Sequence, residues 1–190
     1  MRIITGTARG KKLKTPANYD IRPTTDNVKE SVFNIIQFDI EGRRVLDLFA
    51  GTGQLGIECL SRGAAEAVFV DESREAVRIV RENLKSCGLQ GQVLQEDALV
   101  YLRRCGKFDL IFIDPPYDAQ LYEPVLNTIN LVDILSDGGI IICEARREKE
   151  LPELRAPYRK GKEYRYGKVK ICIYKKESNT DENRYLPWEL

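Results

Sequence analysis

Short apolar runs alternate with amphipathic helical patterns from about residue 44 to residue 145, and this alternation limits the fold more than any other feature of the chain. Strands are expected at 44–49, 67–70, 92–95, 108–113 and 140–143, with helices at 53–62, 73–87, 97–104 and about 120–130. Leu110-Ile111-Phe112-Ile113 and Ile140-Ile141-Ile142-Cys143 show no polar alternation, so both faces of those strands should be covered. Apolar strands separated by helices mean an α/β fold, a doubly wound parallel sheet with helices on both faces. Residues 158–166 and 169–174, turning at Gly167-Lys168, read as a closing antiparallel pair, for about seven strands with the last one antiparallel. Residues 2–14 read as a β-hairpin around Thr7-Ala8-Arg9-Gly10, and Thr24-Thr25-Asp26 opens a helix with Val28, Val32, Phe33, Ile35 and Ile36 on its apolar side. The expected organisation is a hairpin-and-helix extension over 1–40, the α/β domain over 41–176 and a polar tail over 177–190.

Composition removes several chemistries. The chain has 190 residues, enough to bury roughly 70% of its unfolded surface without disulfides or a structural metal. It contains no histidine, which excludes Ser-His triads, His-ligated metals and imidazole acid–base catalysis. Its five cysteines form no C-x-x-C pair, and Cys59, Cys143 and Cys172 read as small buried hydrophobes in a reducing compartment. No apolar run approaches the ~20 residues that span a bilayer and the first residues carry no secretory h-region, so a cytoplasmic protein without membrane attachment is expected. The net charge of +1 hides a segregation: residues 45–145 carry eight Lys/Arg against sixteen Asp/Glu, whereas residues 1–30 carry seven against three and residues 146–176 twelve against four. An acidic centre between basic ends suits a site flanked by surfaces for a polyanion, although charge runs are more often solvated faces.

Ligands of doubly wound sheets bind beyond the carboxyl ends of the strands, where strand order reverses. After the first core strand comes Asp47-Leu48-Phe49-Ala50-Gly51-Thr52-Gly53-Gln54-Leu55-Gly56, a G-x-G-x-x-G turn that either cradles a ligand at a helix N-terminus or simply permits tight packing. Asp71 stands twenty residues beyond Gly51, where a carboxylate can accept both hydroxyls of a ribose or merely complement a helix dipole. Asp97 follows the third strand and is also a good helix cap. Asp114-Pro115-Pro116-Tyr117 follows the fourth strand, either as a Pro-stiffened turn or as a receptor for an amino group. Two prolines supply no N–H, so the loop presents acceptors from the Asp114 carboxylate and the Pro115 carbonyl, with Tyr117 placed to stack on a flat ring.

Together Asp47–Gly56, Asp71, Asp97 and Asp114–Tyr117 resemble the class I S-adenosylmethionine-dependent methyltransferases that modify exocyclic amines. The N-terminal pattern Arg2-Ile3-Ile4-x-Gly6-x-x-x-Gly10, with Leu13, Pro16, Arg22-Pro23-Thr24-Thr25-Asp26 and Phe33-Asn34, resembles the RsmD-type 16S ribosomal RNA (guanine-N2)-methyltransferases from residue 2 to about residue 175. The resemblance implies a Rossmann-like methyltransferase sheet and S-adenosyl-L-methionine as cofactor. It implies that Asp47, Phe49, Ala50, Gly51, Thr52 and Gly53 hold the methionine part, that Asp71 with Glu72 binds the ribose, and that Asp97 with Ala98 contacts the adenine. Asp114, Pro115, Pro116 and Tyr117 would be catalytic, and Arg9, Lys11, Lys12, Arg22, Thr24, Thr25 and Asp26 would meet the substrate. The partner implied is small-subunit ribosomal RNA in an assembled or assembling subunit, bound by a monomer. Arg159, Lys160, Lys162 and Arg165 are expected to add phosphate contacts. Asn27 and Lys29 replace arginines usual in that family, on the side expected to face RNA. The alternatives are a methyltransferase for adenine N6, cytosine N4 or a protein glutamine, and a nicotinamide-dependent or non-catalytic nucleotide-binding domain that would leave Asp114–Tyr117 without a use.

Overall fold

The computed structural model describes residues 1–16, 26–116 and 120–177. Arg22, Thr24, Thr25, Tyr117 and nearly all of the polar tail lie outside the described residues, as does the side chain of Asp26. The elements in chain order are α1 (Asp26–Ile35), β1 (Arg44–Leu48), α2 (Gln54–Ser61), β2 (Glu66–Asp71), α3 (Arg74–Cys87), β3 (Gln92–Gln95), α4 (Ala98–Leu102), β4 (Phe108–Ile113), α5 (Tyr122–Val132), β5 (Leu135–Arg146), β6 (Tyr158–Tyr166) and β7 (Val169–Lys176). They build one seven-stranded sheet in the order β3-β2-β1-β4-β5-β7-β6. β1 pairs in parallel with both β2 and β4, so strand order reverses at β1 and opens a crevice between the ends of β1 and β4. β7 runs antiparallel between β5 and β6.

Both faces of the central strands are covered, as their unbroken apolar sequence requires. Val45, Phe69, Phe112 and Ile142 face α1, α2 and α3, while Leu46, Val68, Ile111 and Ile141 face α4 and α5. The helix limits follow their caps. Ser73 Oγ accepts the Ala76 amide at 3.3 Å to open α3, and Gly88 closes it at φ +68°. Asp97 opens α4 through the Val100 amide at 2.9 Å.

Three elements differ from the sequence reading. The N-terminal hairpin holds a single bridge, Arg2 with Lys12: the Ile3 amide crosses to the Lys11 carbonyl at 2.9 Å and the Gly10 amide to the Ile3 carbonyl at 2.8 Å, while the Ile4, Thr5 and Lys14 amides turn to Glu58 of α2 and Asn83 of α3. β5 begins at Leu135 and not near Ile140: Phe108 pairs with Leu135 and Leu110 with Ile140, so a bulge at 136–139 absorbs the extra residues. α4 ends at Leu102, short of Arg104, whose Nε turns to donate to Glu96 Oε1 at 3.0 Å.

The extension shares the core of the sheet. Ile3, Ala8 and Leu13 of the hairpin and Val28, Val32, Phe33 and Ile36 of α1 belong to the same buried cluster as Phe69 and Phe112. The Phe33 and Phe112 rings lie 6.1 Å apart.

Candidate active site

A cavity of about 420 Å³ opens over the carboxyl ends of β1, β2, β3 and β4, within the usual range of small-molecule sites. The turn after β1 forms its floor. Phe49 adopts φ +70°, a backbone state rare for an aromatic residue, held because the Phe49 and Ala50 amides both donate to the Val70 carbonyl at 3.0 Å. Gly53 at φ +75° then starts α2. A Cβ on Gly56 would lie 2.4 Å from Phe69 Cε1, so α2 approaches β2 at a distance only glycine allows. That approach brings the Gly56 amide to Asp47 Oδ2 at 2.9 Å.

Six carboxylates line the cavity: Glu72, Glu96 and one aspartate at or just beyond each of the four strand ends, Asp47, Asp71, Asp97 and Asp114. Asp47 is buried, and burial pushes its carboxyl up from 3.8 to about 7. The Gly56 amide pulls it down, Asp71 pushes it further up and Lys29 pulls it down as well. Asp71 has both oxygens pinned by backbone amides, Oδ2 by Gly51 at 2.8 Å and Oδ1 by Ser73 at 2.9 Å. Each oxygen keeps a further lone pair, so the carboxylate is a rigid double acceptor. Asp97 uses Oδ1 to cap α4. Asp114 is half-buried at the opposite wall, followed by a buried Pro115 and an exposed Pro116.

Nine of the ten residues expected at a cofactor line this cavity: Asp47, Phe49, Ala50, Gly51, Thr52, Asp71, Glu72, Asp97 and Ala98. Gly53 sits just behind them as the helix start. Asp114 and Pro116 line the same space, so the glycine turn and the proline loop face one cavity. Gln54, Leu55, Val70, Glu96, Leu99 and Leu121 also line it without having been singled out. Adjacency was the available signal, since each lies within a few residues of a named position. The donor set suits a nucleoside with an amino-acid arm. A buried carboxylate and helix-start amides sit at one end, a pinned double acceptor in the middle, and Ala98 and Leu99 offer an apolar wall beside Asp97.

Of the expected substrate residues, the described Arg9, Lys11 and Lys12 do not line the cavity. Arg9, Lys11 and Lys12 are exposed on the hairpin. The hairpin tip is tied to Ser61 at the end of α2: Thr7 N donates to the Ser61 carbonyl at 2.8 Å, Ala8 N to Ser61 Oγ at 2.9 Å, and Ser61 Oγ to the Thr5 carbonyl at 2.6 Å. Since α2 starts at the cavity and runs away from it, the tip lies roughly one helix length, about 12 Å, from the floor. Lys29 does not face outward, as its neighbourhood suggested. It is buried, donates to the Arg2 carbonyl at 3.0 Å and pairs with Glu58 at 3.0 Å. Glu58 also accepts the Ile4 and Thr5 amides at 2.8 and 2.9 Å and Arg62 Nε at 2.9 Å. Burial alone would raise the Glu58 carboxyl, but Lys29, the Ile4 amide and Arg62 together hold it below the usual value. Asn83 completes the attachment: its Oδ1 accepts the Lys14 amide at 2.7 Å and its Nδ2 donates to the Thr52 carbonyl at 2.9 Å. The extension is thus fastened to the helix that carries the glycine turn.

The family model described as "Conserved hypothetical protein 95" matches residues 1–175, and the Ribosomal RNA small subunit methyltransferase D of Escherichia coli (strain K12) is 33% identical over 185 residues, covering 96% of this chain and 93% of that protein. The chain belongs to this RsmD family. YlbH of Bacillus subtilis (strain 168) is 43% identical to this RsmD-family chain over 182 residues, which is 93% of the chain and 99% of YlbH. Among solved structures, yhhF of Escherichia coli superposes with a TM-score of 0.85 at 34% identity, covering 94% of this RsmD-family chain and 99% of yhhF.

Proposed function

We propose that this protein transfers a methyl group from S-adenosyl-L-methionine to the exocyclic N2 amine of a guanine in bacterial small-subunit ribosomal RNA. The observation that carries this reading is the shared cavity: carboxylates suited to a nucleoside cofactor on one side and an acceptor-rich proline loop on the other. Membership of a family whose E. coli member is named as a small-subunit ribosomal RNA methyltransferase supports the choice of substrate. Of the described helices, none is long and apolar enough to cross a membrane.

When bound, the cofactor supplies a methyl group already electrophilic on a sulfonium. Asp47 and the helix-start amides hold its amino-acid arm, Asp71 with Glu72 accepts the ribose hydroxyls, and Asp97 with Ala98 receives the adenine. The amine is the difficult partner, because its lone pair is delocalised into the purine ring. The Asp114 carboxylate and the Pro115 carbonyl accept its two hydrogens and favour a pyramidal nitrogen with the lone pair turned toward the cofactor. Pro115 and Pro116 remove backbone donors that would compete for that lone pair. N2 would form its bond to the methyl as the methyl–sulfur bond breaks, leaving neutral S-adenosylhomocysteine, and would lose one proton, which Asp114 or a water accepts. Tyr117 stacks on the base. Holding both reactants in line supplies most of the acceleration, as much as ~7–11 kcal/mol in well-oriented systems. A guanine within a duplex cannot reach this wall, so the target sits in a loop or is flipped out.

The test is transfer of tritium from methyl-labelled cofactor by the purified protein to small subunits from cells that lack it. Label recovered in the RNA fraction supports the reading. Label in ribosomal protein, or none, defeats it.

A further inference from the structure

We propose that the start of the connection from β5 to β6, together with the turn from β6 to β7, forms an RNA-phosphate surface beside the cavity, centred on Arg147 and Lys168; this rests on the reading that the substrate is RNA. Sheet register divides the basic carboxyl-terminal segment into two groups with different surroundings. Ile113 pairs with Cys143, which sets Asp114 level with Glu144 and two residues short of Arg146. Arg146 pairs with Val169, and Tyr166 and Arg165 pair with Val169 and Lys170. The Arg147 amide donates to the Lys168 carbonyl at 2.9 Å, fastening the two turns together. The start of the β5–β6 connection and the β6–β7 turn therefore sit at the carboxyl end of the parallel strands, on the cavity side, whereas the rest of the β5–β6 connection crosses to the far end, where Tyr158 pairs with Lys176. At the usual strand spacing, β7 and β6 lie about 10 and 15 Å from the end of β4.

The opposite end of the same strands holds the other group. Arg159 pairs in register with Lys175, and Lys175 with Ile140. The cations there are largely neutralised within the fold: Arg159 by Glu177 at 2.8 Å, and Lys176 by Asp133 at 2.8 Å and Asp137 at 3.1 Å. Part-way along β6, Lys160 pairs with Glu163 at 3.5 Å. This removes Arg159 and Lys160 from the expected phosphate contacts, because they face their own carboxylates away from the cavity. On the cavity side, Arg147, Lys149, Arg165 and Lys168 are exposed and enter no ion pair among the described residues. Glu148 and Glu150 are the carboxylates at the start of that connection, outnumbered by the four cations and Arg146, and Glu153 further along pairs with Lys160 at 3.7 Å. Four unneutralised cations beside an otherwise acidic cavity suit a polyanion whose one base enters the cavity while its backbone passes over the rim.

The experiment compares wild type, Arg147→Glu/Lys168→Glu and a far-end variant of equal charge change, Arg159→Glu/Lys175→Glu. Binding to a fluorescein-labelled RNA stem-loop of the small-subunit sequence is followed by anisotropy from 50 to 300 mM KCl. The rim variant is expected to bind at least 10-fold more weakly at 100 mM salt, with a log–log salt slope shallower by about 1.4–1.8, the value for two lost phosphate contacts. The far-end variant should stay within about 2-fold of wild type, and S-adenosylhomocysteine should raise the melting temperature of all three equally. Equal RNA binding and equal slopes for the rim and far-end variants would overturn the proposal. If wild type binds RNA but labels none of it, while the rim variant still loses affinity, the methyl-transfer reading falls and the phosphate surface stands.

Discussion

Replacing Asp47 by asparagine should make this protein more stable at alkaline pH while destroying its cofactor site. The Asp47 carboxyl titrates near 7 in the folded state against 3.8 in the unfolded chain, chiefly because it is buried. Between those values the folded state holds a proton that the unfolded state has lost, so stability falls as pH rises across this window. At about 1.36 kcal/mol per pH unit, the full cost above pH 7 is about 4 kcal/mol, of which somewhat under half is already present at pH 5. Asparagine does not titrate and its carbonyl can still accept the Gly56 amide. Its fixed packing differences add a constant, so the informative quantity is the change with pH. The variant should gain about 2–3 kcal/mol relative to wild type between pH 5 and pH 8. For a chain of this length that is about 5–10 °C in melting temperature. Thermal unfolding of both proteins without cofactor, followed by circular dichroism at half-unit pH steps, measures it directly. The proposed role of the same carboxylate is to hold the cofactor's amino group, so the variant should show no shift with S-adenosylhomocysteine at any pH. Wild-type affinity should weaken as pH falls below about 7. A melting-temperature difference that stays flat from pH 5 to pH 8 would refute the reasoning.

Other substitutions separate the parts of the account. Asp114→Ala should abolish methyl transfer while calorimetric affinity for S-adenosylhomocysteine changes less than about 3-fold; equal loss of both would mean the carboxylate serves the cofactor rather than the amine. Asp71→Asn removes one of two acceptors pinned by Gly51 and Ser73, and charged hydrogen bonds of ~1.5–3 kcal/mol predict roughly 10- to 100-fold weaker cofactor binding by the same titration. Glu58→Ala strands buried Lys29 and two hairpin amides, so a loss of about 3–5 kcal/mol is expected in denaturant unfolding, and a loss under about 1 kcal/mol would contradict the assigned network. Gly56→Ala forces a Cβ against Phe69 and should cost about 1–3 kcal/mol with a lower melting temperature.

Local signals carried the sheet and much of the lining of the cavity. β3 and β4 fall at the limits their apolar runs suggested, and α3 at the limits set by Ser73 and Gly88. The glycine turn, Asp71 and Asp97 were legible because each follows a strand end, and the doubly wound topology brings strand ends together. Long-range attachments were not legible. Glu58, Ser61 and Asn83 reach residues more than fifty positions away through backbone amides and carbonyls, and no local pattern marks such a bond. For the same reason Lys29 read as a surface cation until α1 was seen to turn it toward Glu58. The bulge that lengthens β5 depends on register against β4, and the division of the basic carboxyl-terminal residues depends on register across β5, β7 and β6. A sequence shows that cations are present, but pairing decides which end of a strand they occupy.

The identity of the methylated nucleoside tests the central claim most directly. Small-subunit RNA labelled by the purified protein should be digested to nucleosides and resolved by liquid chromatography and mass spectrometry. The acceptor loop and the family membership predict N2-methylguanosine as the labelled product, absent from the Asp114→Ala reaction. Label in N6-methyladenosine or N4-methylcytidine would contradict the assignment of guanine N2.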